Sequence, residues 1–302
     1  MNYNQKHKDR IFCMIFGYEK YKSNLLDLYN ALNDTNYTNL RELEITTMEN
    51  ALFMSMKNDV SCIIANNMAL FEHQSTWNPN MPLRGFMYFS DLFNKYVSRC
   101  RLGIYDDKLL KIPTPQYYVL YNGKKKVPDR QVLKLSDAFM VPVKDGTFEW
   151  TATVLNINYG HNEKLLSACK PLREYAIFIS MIKEYRQKYT DQNIAIERAI
   201  DDCISQNILR DFLLERKAEA MHTLLTEYDE EAVMEGLRQR AYEDAEKTLL
   251  VSLICKKISK GKSVEQIADD LEENVSKIQG IYDIAMESGP DYEIDKIVEK
   301  LG

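Results

Sequence analysis

Asp59, Glu72 and Gln74 sit within residues 57–84, KNDVSCIIANNMALFEHQSTWNPNMPLR, a stretch that otherwise reads as two buried β-strands. Valine or isoleucine would pack better at all three positions, so their polarity asks for a chemical reason. Residues two apart in a strand share a face, which puts Glu72 and Gln74 together and His73 on the other side. A hairpin through Asn66-Asn67, a pair that tolerates positive φ, brings Asp59 alongside them. Counting outward from that turn pairs 65 with 68 and 59 with 74, one diagonal step from 72. Two carboxylates with a carbonyl nearby, the backbone of His73 being closest, make a hard-oxygen site suited to Mg²⁺ or Mn²⁺. Such an ion generates a hydroxide nucleophile and stabilises a phosphorane-like transition state, while the third side chain orients the attacking water. A plainer reading uses the same residues: Asp59 as a strand-start turn residue and Glu72 at an exposed edge. Spacing alone leaves both open.

The elements that position these residues follow from periodicity. Residues 6–33 read as helix with a break near Gly17, and DTNYTN (34–39) is turn chemistry. ALFMSM (51–56) reads as a first strand, and 59–65 and 68–74 as the hairpin. WNPNMP (77–82) is a loop, because its two prolines prevent regular pairing. Phe86, Phe89, Phe93, Tyr96 and Val97 carry a helical face between Leu83 and Cys100. QYYVLYNG (116–123) and FEWTATVLNIN (148–158) read as further strands. The order helix, three strands, helix, strand predicts an α/β fold. Beyond residue 170 the pattern is helical, with Thr190 expected as an N-cap and Ser263 with Gln266 as a capping box. The expected division is 1–189 for the α/β domain and 190–302 for a helical region.

Composition narrows the class. With 45% hydrophobic and 28% charged residues, the chain falls among globular proteins. Its six cysteines are scattered singly, which fits neither a disulfide framework nor a zinc knuckle and suggests a reducing cytoplasm. The opening residues lack an apolar h-region, and no run approaches the roughly 20 apolar residues of a membrane span. Neither a leader nor a membrane partner is expected. The net charge of −6 divides unevenly: residues 1–150 hold 19 Lys/Arg against 16 Asp/Glu, and residues 151–302 hold 20 against 29. A polyanion is permitted by the mildly basic first half and opposed by the acidic second.

An aspartate followed by Glu-x-Gln on the next strand, within helix–strand–strand–strand–helix–strand, resembles the PD-(D/E)XK nuclease fold. More narrowly, the chain resembles the Rpn family of recombination-promoting nucleases and transposase-like proteins. The residues that carry this are KDRIF (8–12), LYNALN (28–33), NDVS (58–61), EHQSTWNPNMPLR (72–84), PTPQYYVLYNG (113–123), LKLSDAF (133–139), VLNINYGHN (154–162) and YDEEAVM (228–234). The resemblance implies a restriction-endonuclease-like αβββαβ core, a mixed sheet flanked by helices, followed by an α-helical region. It makes Asp59 and Glu72 metal ligands and puts Gln74 where many relatives of the wider fold carry lysine. It also makes Asp9 a further member of the site, with Glu49 as a weaker candidate, and Arg84 a residue that holds the site's edge or a phosphate; read plainly, Asp9 is a helix-start acid favoured by the macrodipole and Arg84 a solvated first residue of an amphipathic helix. The implied function is Mg²⁺-dependent hydrolysis of DNA in recombination or transposition. The alternative is a weakly active or inactive DNA-binding or protein-interaction module that keeps the fold.

Other residues permit two readings each. Trp77 can stack on a base or cap the core, and Lys124, Lys125 and Lys126 can meet DNA backbone or simply solvate a turn. His161 is expected to be a local hydrogen-bonding group. Residues 263–288 suggest two short helices with a turn near 273–275, faintly like a helix-turn-helix, with Lys277 and Gln279 as base readers. The competing expectation is a helical tail that packs on itself or joins copies into a homo-oligomer.

Overall fold

The computed structural model describes residues 11–46, 59–101, 103–105, 107–142, 144, 148–290 and 292–301, without the side chains of 227–235, 237 and 238. Asp9, Glu49 and the expected strand at 51–56 lie outside the described residues. The chain separates into two compact units, 1–227 and 228–302.

Among the described residues, the first unit is built on a six-stranded mixed sheet. Its strands, in chain order, are β1 (Glu44–Ile45), β2 (Asp59–Ile64), β3 (Asn67–Gln74), β4 (Thr114–Tyr121), β5 (Arg130–Lys134) and β6 (Thr151–Asn156). Across the sheet they run β1-β2-β3-β4-β6-β5, with β3, β4 and β6 parallel and the other pairs antiparallel. The central strands are apolar on both faces, as parallel strands covered by helices must be. On one face Val60, Cys62, Phe71 and Leu120 join a core with α1 (Ile11–Phe16), α2 (Lys22–Asn33), α4 (Glu163–Ala168), α5 (Lys170–Lys188) and α6 (Gln192–Ser205). On the other, Met68, Leu70, Tyr117 and Val119 pack against Met81, Tyr88, Phe89 and Leu92 of α3 (Met81–Arg99). That helix links β3 to its parallel neighbour β4, a connection no tight turn can make.

Several expectations shift in detail. The break expected near Gly17 does form, and it leaves α1 and α2 as separate helices. A Cβ on Gly17 would stand 2.8 Å from the Cys13 carbonyl oxygen, which is too close. The N-cap of α6 is Asp191 rather than Thr190, because its carboxylate accepts from the amides of Asn193 and Ile194. Helix α6 and Leu213, Ala220 and Leu224 of α7 (Arg210–Ile258) belong to the first unit's core, so that core continues past residue 189.

The hairpin differs most. Ile64 pairs with Asn67, so the turn residues are Ala65 and Asn66, with φ of 46° and 62°, rather than Asn66-Asn67. Two successive positive φ values fit the mirror-image turn whose twist matches a hairpin. Moving the turn back by one residue changes the pairing by two, so Asp59 stands directly opposite Glu72 instead of opposite Gln74.

The second unit comprises the end of α7 with α8 (Val264–Asp270), α9 (Val275–Ser288) and α10 (Ile294–Lys300) around Val251, Ile254, Ile267, Ile278 and Ile297. The capping box of Ser263 and Gln266 forms as expected. Among the described residues no helix is long and apolar enough to cross a membrane.

Alanine at a positive φ is strained by its Cβ. Replacing Ala65-Asn66 with Asn-Gly is expected to raise the unfolding free energy by about 1 kcal/mol, read from the urea midpoint. An unchanged or lower midpoint would contradict this account of the turn.

Candidate active site

Glu72 has no exposed surface, yet it carries a carboxylate. A charge in that position must be compensated where it stands. Three elements do so. Gln74, two residues along β3 and so on the same face, donates its Nε2 to Glu72 Oε1 at 2.7 Å. Tyr117 of β4 donates its hydroxyl to Oε2. From α3, Arg84 forms an ion pair with Oε1 through Nη2.

Two of these donors are themselves held. Arg84 lies one helical turn before Tyr88, and its Nε and Nη2 both donate to the Tyr88 hydroxyl, at 3.0 and 2.8 Å. Its guanidinium lies 5.6 Å from the centre of the Tyr88 ring. Tyr117 passes beneath α3 where the helix has no side chain. A Cβ on Gly85 would fall 2.3 Å from Tyr117 Cε1, so only glycine lets the ring through to Glu72. Burial, then the charge of Glu72 and its hydrogen bond, push the Tyr117 hydroxyl well above its ordinary 10.0, against a smaller opposing effect of Arg84. Burial opposes the charge on Arg84, but Glu72 and Tyr88 outweigh it, so that side chain stays firmly protonated.

Asp59 is 5% exposed and faces Glu72 across the strand pair. Directly opposed positions hold their Cβ atoms about 5 Å apart. Asp59 also acts on the Tyr117 hydroxyl, raising it further. Two hard carboxylates on one face suit two ligand positions of a divalent ion. Among the described residues no third Asp, Glu, His or Cys completes a cage. The remaining donors would be carbonyls, water or residues outside the described set.

The sheet faces fall as the alternation predicts. His73 points away from the carboxylates, stacks on Phe12 with ring centres 5.6 Å apart and shares a 2.9 Å hydrogen bond with the Tyr175 hydroxyl. Trp77 is half-buried, edge-on to Tyr121 at 6.0 Å with Lys125 Nζ 5.3 Å from its ring centre. That placement is the capping one. His161 is a local partner, with Nδ1 2.7 Å from Asp129 Oδ1.

Tyr88, Tyr117 and Gly85 are the members of the site that sequence reasoning missed. The four-residue spacing from Arg84 to Tyr88 was a readable signal; the pairing of β4 beside β3 was not. In the second unit, Lys277 bonds Glu273 and Gln279 bonds Asp283, so both expected base readers are engaged by acids. Two surface hollows, of about 450 and 310 Å³, lie elsewhere and include none of Asp59, Glu72 and Gln74. No family model, curated protein or solved structure matches this chain.

Removing one partner of a buried ion pair strands the other. Arg84→Met is expected to lower stability by about 3 kcal/mol, and adding Glu72→Gln should recover most of that loss. Denaturant unfolding of the single and double variants checks this; simple additivity would refute it. Tyr117 makes a second test, at alkaline pH. Its folded value lies above its unfolded one, so the stabilisation is complete below about pH 10 and is lost as pH rises further. Stability should therefore fall less steeply between about pH 9 and 11 in Tyr117→Phe than in the parent.

Proposed function

We propose that the chain is a divalent-metal-dependent DNA endonuclease with a PD-(D/E)XK core, of the Rpn type that its sequence resembles. The observation that carries this reading is the register. Asp59 stands directly opposite Glu72, and Gln74 shares the face with its amide on Glu72. The element order α2-β1-β2-β3-α3-β4 supports it, since it is helix, three strands, helix, strand. Like charges directly opposed in a sheet repel, an arrangement better suited to gripping a cation than to filling a core.

Asp59 and Glu72 would hold Mg²⁺ or Mn²⁺, with Asp9 or Glu49 as a further ligand. A bound ion of this kind supplies a metal-activated hydroxide and neutralises charge developing on a phosphodiester. After bonding Glu72, Gln74 keeps its carbonyl oxygen and one amide hydrogen, enough to orient a water. It brings no positive charge, so charge at the reacting phosphate must come from elsewhere. Recombination or transposition in the cytoplasm is the setting this reading implies, with the C-terminal helices as the place where copies would associate.

One observation favours a second reading, a weakly active or inactive DNA-binding or protein-interaction module. Glu72 has both oxygens engaged by Arg84, Gln74 and Tyr117. Cleavage of supercoiled plasmid separates the two. Nicking that requires Mg²⁺ or Mn²⁺ and disappears in Asp59→Ala and in Glu72→Ala is the expected result. Plasmid retained on the protein but left intact would sink the nuclease reading and favour the binding module.

A further inference from the structure

A carboxylate that is to hold a metal ion must present lone pairs to it. Two oxygens offer roughly four such positions, and on Glu72 at least three are filled, Arg84, Gln74 and Tyr117 being the donors among the described residues. Of these donors only Arg84 carries a charge. A guanidinium and a divalent cation against one buried carboxylate repel each other strongly where water is excluded, so the one already in place opposes the other.

Arg84 is also built to let go. Its side chain is 24% exposed, while that of Glu72 is fully covered. It has an anchor independent of the carboxylate, because two of its nitrogens donate to Tyr88, which is buried and fixed within α3. Giving up Glu72 would therefore leave the guanidinium bonded rather than stranded. We propose that Arg84 is an internal counter-ion, which occupies Glu72 in the resting protein and must give it up before a divalent ion can bind. The proposal rests on the reading of Asp59 and Glu72 as metal ligands. It makes Arg84 a positioning residue whose exchange sets how tightly the site loads, and it assigns Tyr88 the task of keeping the released side chain in place.

The test is Mn²⁺ binding without DNA, followed by the loss of the free-ion paramagnetic resonance signal and by thermal unfolding with and without the ion. The intact protein, Arg84→Met, Arg84→Gln and Asp59→Asn are compared. The expected result is binding that depends on Asp59 and tightens about tenfold or more in Arg84→Met. Mn²⁺ should also raise the Tm of Arg84→Met more than that of the parent, because the ion then takes over the compensation of Glu72 that Arg84 supplied. Should Arg84→Met not fold, Arg84→Gln serves: its amide still offers hydrogen-bond donors but carries no charge, so it too should bind Mn²⁺ more tightly than the parent. Binding that depends on Asp59 but is no tighter in either variant overturns the counter-ion and leaves the metal site standing. The absence of any Asp59-dependent binding, in the parent and the variants alike, overturns both.

Discussion

The uncompromising constraint in this protein is one carboxylate with no access to solvent. Glu72 requires a cation and hydrogen-bond donors brought to it by other elements, and they come from its own strand, the next strand and the helix between them. That requirement ties α3 to one placement over the sheet. The helix must offer Arg84 on the turn that faces Glu72, and one residue later it must offer no side chain at all, so that Tyr117 fits beneath Gly85. Apolar packing by Phe89 and Leu92 would accept neighbouring placements; the charge does not.

What was legible in the sequence was what depends on local periodicity. The two-residue repeat of a strand separates Glu72 and Gln74 from His73, and the contacts of those side chains fall on opposite faces accordingly. Helix α3 was expected from Leu83 to Cys100 and runs from Met81 to Arg99, with Pro82 in its first turn, where a missing amide hydrogen does no harm. The hairpin register was displaced because Ala65 gives no chemical hint that it will adopt a positive φ, whereas Asn67 invites one. Strand β1 has only two residues, too few for any pattern to register. Tyr117 was out of reach for a different reason. Its meeting with Glu72 spans 45 residues and depends on β4 lying parallel to β3, which nothing near either residue encodes.

The asparagine-rich stretch at 154–162 turns out to be a fastening. Asn156 bonds the Val127 carbonyl, Asn158 bonds that of Gly123, and Lys183 of α5 reaches both Asn122 and Asn158. Strand ends leave backbone groups that need partners, and amides supply both donor and acceptor. These residues are distinctive in sequence, but their visible work is to tie the ends of β4 and β6 to α5, close to where β3 ends at Gln74. The site thus sits near the ends of the central strands β3 and β4, with amides fastening one side and an ion pair the other.

The hairpin between β2 and β3 has an arithmetic of its own. Strand faces alternate with every residue, so loop length carries parity as well as reach. Lengthening the connection by two residues in a way that slides the ladder would keep Asp59 on the face of Glu72, merely further along. Lengthening it by one would turn Asp59 toward the helices of the opposite layer, among Phe71 and its neighbours, while the strands stayed as apolar as before. Over evolutionary time, hairpin insertions that slide the ladder can keep Asp59 on the face of Glu72 only in even steps, unless a bulge elsewhere in the pair restores the count.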